Sequence, residues 1–237
     1  MFVHGFTQSA NSWKPIAERL AADGYESVVV DVPGHGGSTN VRADLRATAD
    51  MLTAMCGFGV YIGYSLGGRL CIHAASMHPH LVRGLAVVGA TPGIADESER
   101  ADRRTADDQL ADHILDVGVD AFLDEWLALP LFAGLQLDDA QRADRRANTA
   151  EGLAGSLRLA GTGAQASLWS RLPDINMPVL AMWGELDHKF AAIGRQMAAS
   201  VPHGTSAEIR DSGHAAHLQQ ADLVAAALTA WLREIKY

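Results

Sequence analysis

Cysteine is scarce: Cys56 and Cys71 are the only two in 237 residues. Both fall in apolar helical stretches and lack C-x-x-C spacing. That excludes a disulfide framework and a thiol redox motif, and reads as buried free thiols in a reducing compartment. No apolar run approaches the ~18 residues of a membrane span. Nothing resembling the n-region and h-region of a signal peptide follows Met1. A cytoplasmic protein without a membrane partner is therefore expected. Basic residues are also short, since 19 Lys and Arg against 28 Asp and Glu leave a net charge of −9. Such a balance argues against a nucleic-acid partner. It leaves an anionic small molecule open, because a few arginines can reverse the field inside one pocket.

Two cofactor signatures are missing as well. The turn Pro33-Gly34-His35-Gly36-Gly37-Ser38 lacks the Gly-Lys-Ser/Thr ending of a P-loop and the spacing of a dinucleotide fingerprint. His214 and His217 stand four residues apart without a third clustered ligand, so no metal is expected. The chain contains no internal repeat and no low-complexity linker.

What is present is a hydrophobic content of 48% in a chain long enough for one large domain. Apolar β-branched runs at Phe2–His4, Ser27–Val32, Val60–Tyr64, Leu85–Val88, Val179–Trp183 and Ala207–Arg210 read as strands. Helical spacing alternates with them over Ser12–Asp23, Arg42–Met55, Leu70–Met77, Phe190–Ser200 and a last stretch through Trp231. Alternation of this kind implies βαβ units and a mostly parallel sheet, an α/β fold. From about residue 95 to 171 no convincing strand occurs, and Glu99–Asp116, Val119–Leu127 and Asp138–Thr149 read as helices. The expected organisation is a core of residues 1–94 and 172–237 with a helical cap, 95–171, inserted into it. The abrupt opening at Phe2 suggests that N-terminal strands are missing or shortened.

The most informative stretch is Gly63-Tyr64-Ser65-Leu66-Gly67-Gly68-Arg69. A strand stops at Gly63, and Gly67 and Gly68 open a helix, so Ser65 stands at the apex of a sharp strand-to-helix turn. Glycines suit such a turn because it is crowded and strained. The hydroxyl is left exposed, and the next backbone N–H groups lie at a helix N-terminus, where they can stabilise an oxyanion. A serine nucleophile or base needs an imidazole within reach, and the imidazole needs a group that fixes its tautomer. Such groups collect at the carboxyl ends of the strands in a doubly wound sheet. Asp187 follows the strand Val179–Trp183 and His214 follows Ala207–Arg210, in the chain order of an α/β-hydrolase triad. Glu185, two residues before Asp187, is the rival acid. His4-Gly5-Phe6 follows the first strand, and the N–H groups of Phe6 and Leu66 are the expected oxyanion hole. His4 itself is expected to brace the loop.

With these segments in view the chain resembles the α/β-hydrolase superfamily throughout. More narrowly, it resembles the 2-succinyl-6-hydroxy-2,4-cyclohexadiene-1-carboxylate (SHCHC) synthase family of menaquinone biosynthesis. The narrower signals are Arg69 directly after the elbow, Arg100-Ala-Asp-Arg103, Trp126, Pro130-Leu-Phe132, Arg146-Ala-Asn148 and Gly184-Glu-Leu-Asp-His-Lys-Phe190. Gly213-His-Ala-Ala-His217 matches too, whereas Gln219-Gln220-Ala221 replaces the more usual Glu-Asn-Pro. The resemblance implies a carbon–oxygen lyase that eliminates pyruvate from a multi-carboxylate cyclohexene (SEPHCHC), with Ser65 as the immediate base. It also implies Arg69, Arg103 and Arg146 as carboxylate partners and Tyr64 and Trp126 as pocket lining. Arginine suits that task because its planar fork pairs bidentately with a carboxylate. The alternative is a serine hydrolase of small esters, lactones or C–C bonds on the same triad. No cofactor is implied by either.

Overall fold

Buried runs of Val, Ile, Leu and Ala form a parallel sheet because both of its faces are covered. The computed structural model describes residues 1–236. In chain order the strands are β1 (Phe2–Val3), β2 (Val29–Val30), β3 (Gly59–Tyr64), β4 (Val82–Val88), β5 (Val179–Gly184) and β6 (Gly204–Ile209). They pair in the order β2-β1-β3-β4-β5-β6, every pair parallel. The helices are α1 (Lys14–Ala22), α2 (Leu45–Cys56), α3 (Leu66–Met77), α4 (Glu97–Leu127), α5 (Asp139–Arg146), α6 (Ala150–Ala160), α7 (His188–Ser200), α8 (Ala216–Gln219) and α9 (Ala221–Glu234). None is long and apolar enough to cross a membrane.

Period-two alternation splits the strand residues between two cores. Tyr61, Val87, Val179 and Ala181 face α2, α3 and α7, whereas Val60, Ile62, Val88 and Leu180 face α1 and α9. A third cluster, with Ile114, Phe122, Leu123, Leu153 and Leu157, joins α4 to α6. Phe6 packs against both this cluster and the sheet core. No strand interrupts the residues between β4 and β5 among those described.

Three local readings need correction. The strand expected over Ser27–Val32 shrinks to Val29–Val30, because its neighbour β1 offers only Phe2 and Val3 for pairing. Val28, at the sheet edge, is 51% exposed. The strand expected at Leu85–Val88 begins three residues earlier, since Val82 pairs with Gly59. The helical segments expected on either side of residue 118 run on as α4, broken by Gly118 at φ 78° and ψ 171°.

Candidate active site

The sheet register places the site. β3 ends at Tyr64, and the Ser65 N–H is held by Val88 O at 2.9 Å before α3 begins. Ser65 takes φ 49° and ψ −109°, a strained region for a residue with a β-carbon. That conformation survives because Gly63 and Gly67 leave room: a β-carbon on Gly63 would collide with the Gly67 carbonyl, and one on Gly67 with the Val3 carbonyl. The serine side chain is thereby lifted above the sheet, at the first turn of α3.

His214 meets it from the turn after β6. Its Nε2 lies 3.3 Å from Ser65 Oγ and its Nδ1 lies 2.7 Å from Asp187 Oδ2. A carboxylate only accepts, so Nδ1 carries the proton and Nε2 presents a lone pair to the serine hydroxyl. Asp187 closes the turn after β5, where its other oxygen accepts from Phe190 N at 3.2 Å and caps α7. Both its oxygens are therefore fixed. Glu185, the rival acid, turns elsewhere and accepts from Asp211 N at 3.0 Å, which braces the turn carrying His214. Gln219, which replaces the more usual glutamate, accepts from Gly213 N at 2.7 Å on the same turn.

The loop after β1 is built on neutral imidazoles. Val32 N donates to His4 Nε2 at 3.1 Å, leaving Nδ1–H to donate to Gly5 O at 2.8 Å. Thr7 N donates to His35 Nε2 at 3.2 Å. Burial holds the His4 pKa below its ordinary value and takes His35 down to about 3. Gln8 Oε1 accepts from Gly5 N and stands 3.2 Å from His217 Nε2. His217, considered and set aside as a metal ligand, is thus engaged in this loop, and burial keeps it neutral. Among the described residues no hydrogen bond takes the N–H of Phe6 or of Leu66.

One cavity of about 170 Å³ collects most of the candidates. Phe6, Tyr64, Ser65, Leu66, Arg69, Arg103, Trp126 and His214 all line it, with Lys189 and Phe190 from α7. Arg69, four residues after Ser65 on α3 and only 7% exposed, donates to Ala160 O at 2.8 Å. Burial first, and the charge of Arg103 second, pull its pKa down to about 10, so it remains a cation at neutral pH. Arg103 pairs with Asp107 at 2.7 Å. Tyr64 is buried against the His214 and His217 rings, and burial raises its phenol pKa. Trp126 Nε1 is buried without a partner among the described residues. Larger depressions exist, including one of about 800 Å³ beside β2, but none contains Ser65 or His214.

Arg146 does not join this group. It pairs with Asp120 and Asp124 on the outer surface, its side chain 45% exposed. The reason is helical geometry: successive residues on α5 point about 100° apart. Arg145 takes the inward direction, 3% exposed, and donates to Thr7 Oγ1, while Asn148 donates to Thr7 O at 3.0 Å. Neither tie was foreseen. An Arg-Arg pair does not say which member faces inward, and Thr7 lies 138 residues from Arg145 in the chain. Lys189, within the segment Gly184–Phe190, also lines the cavity.

A family model described as the alpha/beta hydrolase fold matches residues 1–221. The 2-succinyl-6-hydroxy-2,4-cyclohexadiene-1-carboxylate synthase of Salmonella typhimurium (strain LT2) is 33% identical over 227 residues, covering 92% of this chain and 86% of the relative. Among solved structures, MenH from S. aureus superposes with a TM-score of 0.92 at 29% identity, covering 100% of this chain and 93% of that one. A thermophilic esterase from Thermogutta terrifontis, solved with malate bound, shares the fold, with a TM-score of 0.83 at 23% identity over 99% of this chain and 89% of that one. The chain belongs to the α/β-hydrolase family and, within it, to the group of the 2-succinyl-6-hydroxy-2,4-cyclohexadiene-1-carboxylate synthases.

Proposed function

We propose that this protein is the synthase its relatives are named for: a lyase that eliminates pyruvate from a multi-carboxylate cyclohexene, in menaquinone biosynthesis and in the cytoplasm. The observation that carries the reading is a Ser65–His214–Asp187 relay opening into the same cavity as Arg69 and Arg103. An ester hydrolase of neutral substrates has no use for two arginines there.

In this reading His214 Nε2 takes the Ser65 proton as Ser65 Oγ removes a proton from the ring carbon next to the substrate's carbonyl. Asp187 stabilises the imidazolium. The carbonyl oxygen gains charge and accepts hydrogen bonds from the N–H groups of Phe6 and Leu66 in an oxyanion hole. Electrons from the broken C–H bond form a ring double bond and expel the enolpyruvyl oxygen. The C–O bond breaks and the diene is complete; the leaving enolpyruvate takes up the proton released by the His214 imidazolium, which resets the triad, and becomes pyruvate. Arg69 and Arg103 hold carboxylates, while Tyr64 and Trp126 shape the pocket. Residues 95–171 act as a cap over a core of 1–94 and 172–237, and the partner is one small anionic substrate.

Incubation with SEPHCHC, following pyruvate release, tests this. Release that depends on Ser65 is expected. Ester hydrolysis without pyruvate release overturns it in favour of a hydrolase on the same triad.

A further inference from the structure

Arg69 is held in one attitude by groups that carry no charge. Its Nη1 donates to Ala160 O at 2.8 Å and to Gln165 Oε1 at 3.4 Å. Nη1 has two N–H groups, and these two acceptors use both. Nε and Nη2 have no hydrogen-bond partner among the described residues and are not enclosed. Their N–H groups share one edge of the guanidinium, an edge that pairs bidentately with a carboxylate. The neighbouring carboxylate of Asp107 is taken by Arg103, and none pairs with Arg69 among the described residues.

Gln165 is itself fixed. It is fully buried, and its Nε2 donates to Thr91 O at 3.4 Å on the loop after β4. A guanidinium only donates and a backbone carbonyl only accepts, so the amide can stand one way round. Leu168 N donates to Pro92 O at 2.8 Å and Trp169 Nε1 to Gly93 O at 2.9 Å, which pins the following residues to the same loop. Gln165 does not line the cavity of Ser65 and His214. It therefore touches no ligand there and acts only through Arg69.

We propose that Gln165 is a positioning residue for the reaction, one that turns the Nε–Nη2 edge of Arg69 toward the cavity and leaves its charge for a substrate carboxylate. An acceptor is needed at this place to fix the guanidinium. It must also be uncharged, because a carboxylate there would neutralise the cation before the substrate arrives. Glutamine meets both requirements. The inference rests on the anionic-substrate reading above and names what keeps Arg69 competent for it.

The test uses the whole chain and a stable ring diacid, trans-cyclohexane-1,2-dicarboxylate, with its dimethyl ester. Binding is measured by calorimetry to the wild type, Gln165→Met, Gln165→Glu, Arg69→Ala and the double variant Arg69→Ala with Gln165→Met, alongside SEPHCHC kinetics. Gln165→Met keeps the side-chain length, removes the acceptor and should weaken the diacid about fivefold. Gln165→Glu supplies an acceptor that pairs with the cation and should weaken it about tenfold or more. KM for SEPHCHC should rise in the same order, by more than kcat falls, and the diester should bind every variant alike. With Arg69→Ala already present, Gln165→Met should cost nothing further. Melting curves show which variants fold, and if Gln165→Glu does not, Gln165→Met and the double variant decide. Full diacid affinity in Gln165→Met, an equal loss for the diester, or the same loss without Arg69 overturns the assignment. Where the diacid binds too weakly to measure, the KM series decides by the same criteria. If the diacid follows the expected pattern but SEPHCHC yields no pyruvate, the lyase reading fails and the role of Gln165 stands. If the wild type neither binds the diacid nor turns over SEPHCHC, both fall.

Discussion

Gly89 leaves open the space in which the His214 imidazole stands: a β-carbon there would lie 3.0 Å from Cε1 and 3.1 Å from Nδ1. Gly89 follows β4 at φ 57°, and its N–H is held by Met182 O at 2.9 Å. The missing side chain therefore leaves the ring room to stand between Ser65 and Asp187. Gly89→Ala should push the ring by a few tenths of an ångström and lower kcat by about tenfold, less than the ~10²-fold that a misplacement of about 1 Å costs. The left-handed backbone adds about 1 kcal/mol of destabilisation. Steady-state kinetics with a melting curve check this, and an unchanged kcat would show that the ring has room to spare.

The two acids of the β5 turn should separate cleanly. Asp187→Asn leaves His214 in the wrong tautomer and should lower kcat by about 10³–10⁴-fold. Glu185→Gln keeps an acceptor for Asp211 N and should stay within a few-fold of wild type. Comparable losses in both variants would contradict the hydrogen-bond assignment.

Arg69 and Arg146 should behave as opposites. Arg69→Ala removes a buried cation from the cavity, so KM for a carboxylate-bearing substrate should rise about tenfold or more, with turnover of a neutral ester largely kept. Arg146 sits on the surface with Asp120 and Asp124, and its replacement by Ala should change stability by less than about 0.5 kcal/mol. A large KM effect at Arg146 would show that it swings into the cavity when substrate binds.

Arg145 is the tie between α5 and the loop after β1. Arg145→Ala breaks the bond to Thr7 Oγ1 and should cost about 2 kcal/mol, the scale of losing a hydrogen bond to a charged group. For a chain of this size Tm should fall by roughly 4–8 °C. Hydrogen exchange should rise in residues 5–9 and in α5 together. Loosening of α5 alone would show that the loop does not depend on it.

Acid should unfold the protein through its buried histidines. Burial takes the His35 pKa down to about 3 and that of His73 down to about 4, while His4 and His217 are also lowered. Between an unfolded value near 6.5 and these folded values the unfolded chain binds more protons, so stability falls as pH falls. It is fully present above about pH 6.5. Well inside the window each group contributes a slope of up to about 1.4 kcal/mol per pH unit. Denaturant titrations at pH 7, 6 and 5 measure it, and His35→Asn should flatten the slope. A stability constant from pH 7 to 5 would rule the mechanism out.

Much of the site was legible because its residues sit where chain geometry is short-ranged. Ser65 follows a strand and precedes a helix, and Arg69 comes one helical turn later, so one local motif carries both. Asp187 and His214 could be placed at strand ends from the alternation of strands and helices alone. Phe6 and Leu66, proposed as the oxyanion donors, were expected by the same logic. Arg145, Gln8 and Asn148 were not legible, because their bonds join segments far apart in the chain and depend on which way a helix is turned. β2 was overread because a strand's length depends on its neighbour, and β1 supplies only two residues.

By itself, the sequence determined the α/β alternation, the strained turn at Ser65 and the chain order of serine, acid and histidine. These are local matters of steric fit, hydrophobic period and loop position, each decided within about a dozen residues. Tertiary structure alone decided which of Asp187 and Glu185 reaches His214, which of Arg145 and Arg146 faces inward, and that Lys189 lines the cavity of Ser65 and His214. Those outcomes turn on side-chain direction and on distances of an ångström or two between elements. They are set only when the sheet, α4 to α6 and α7 pack together.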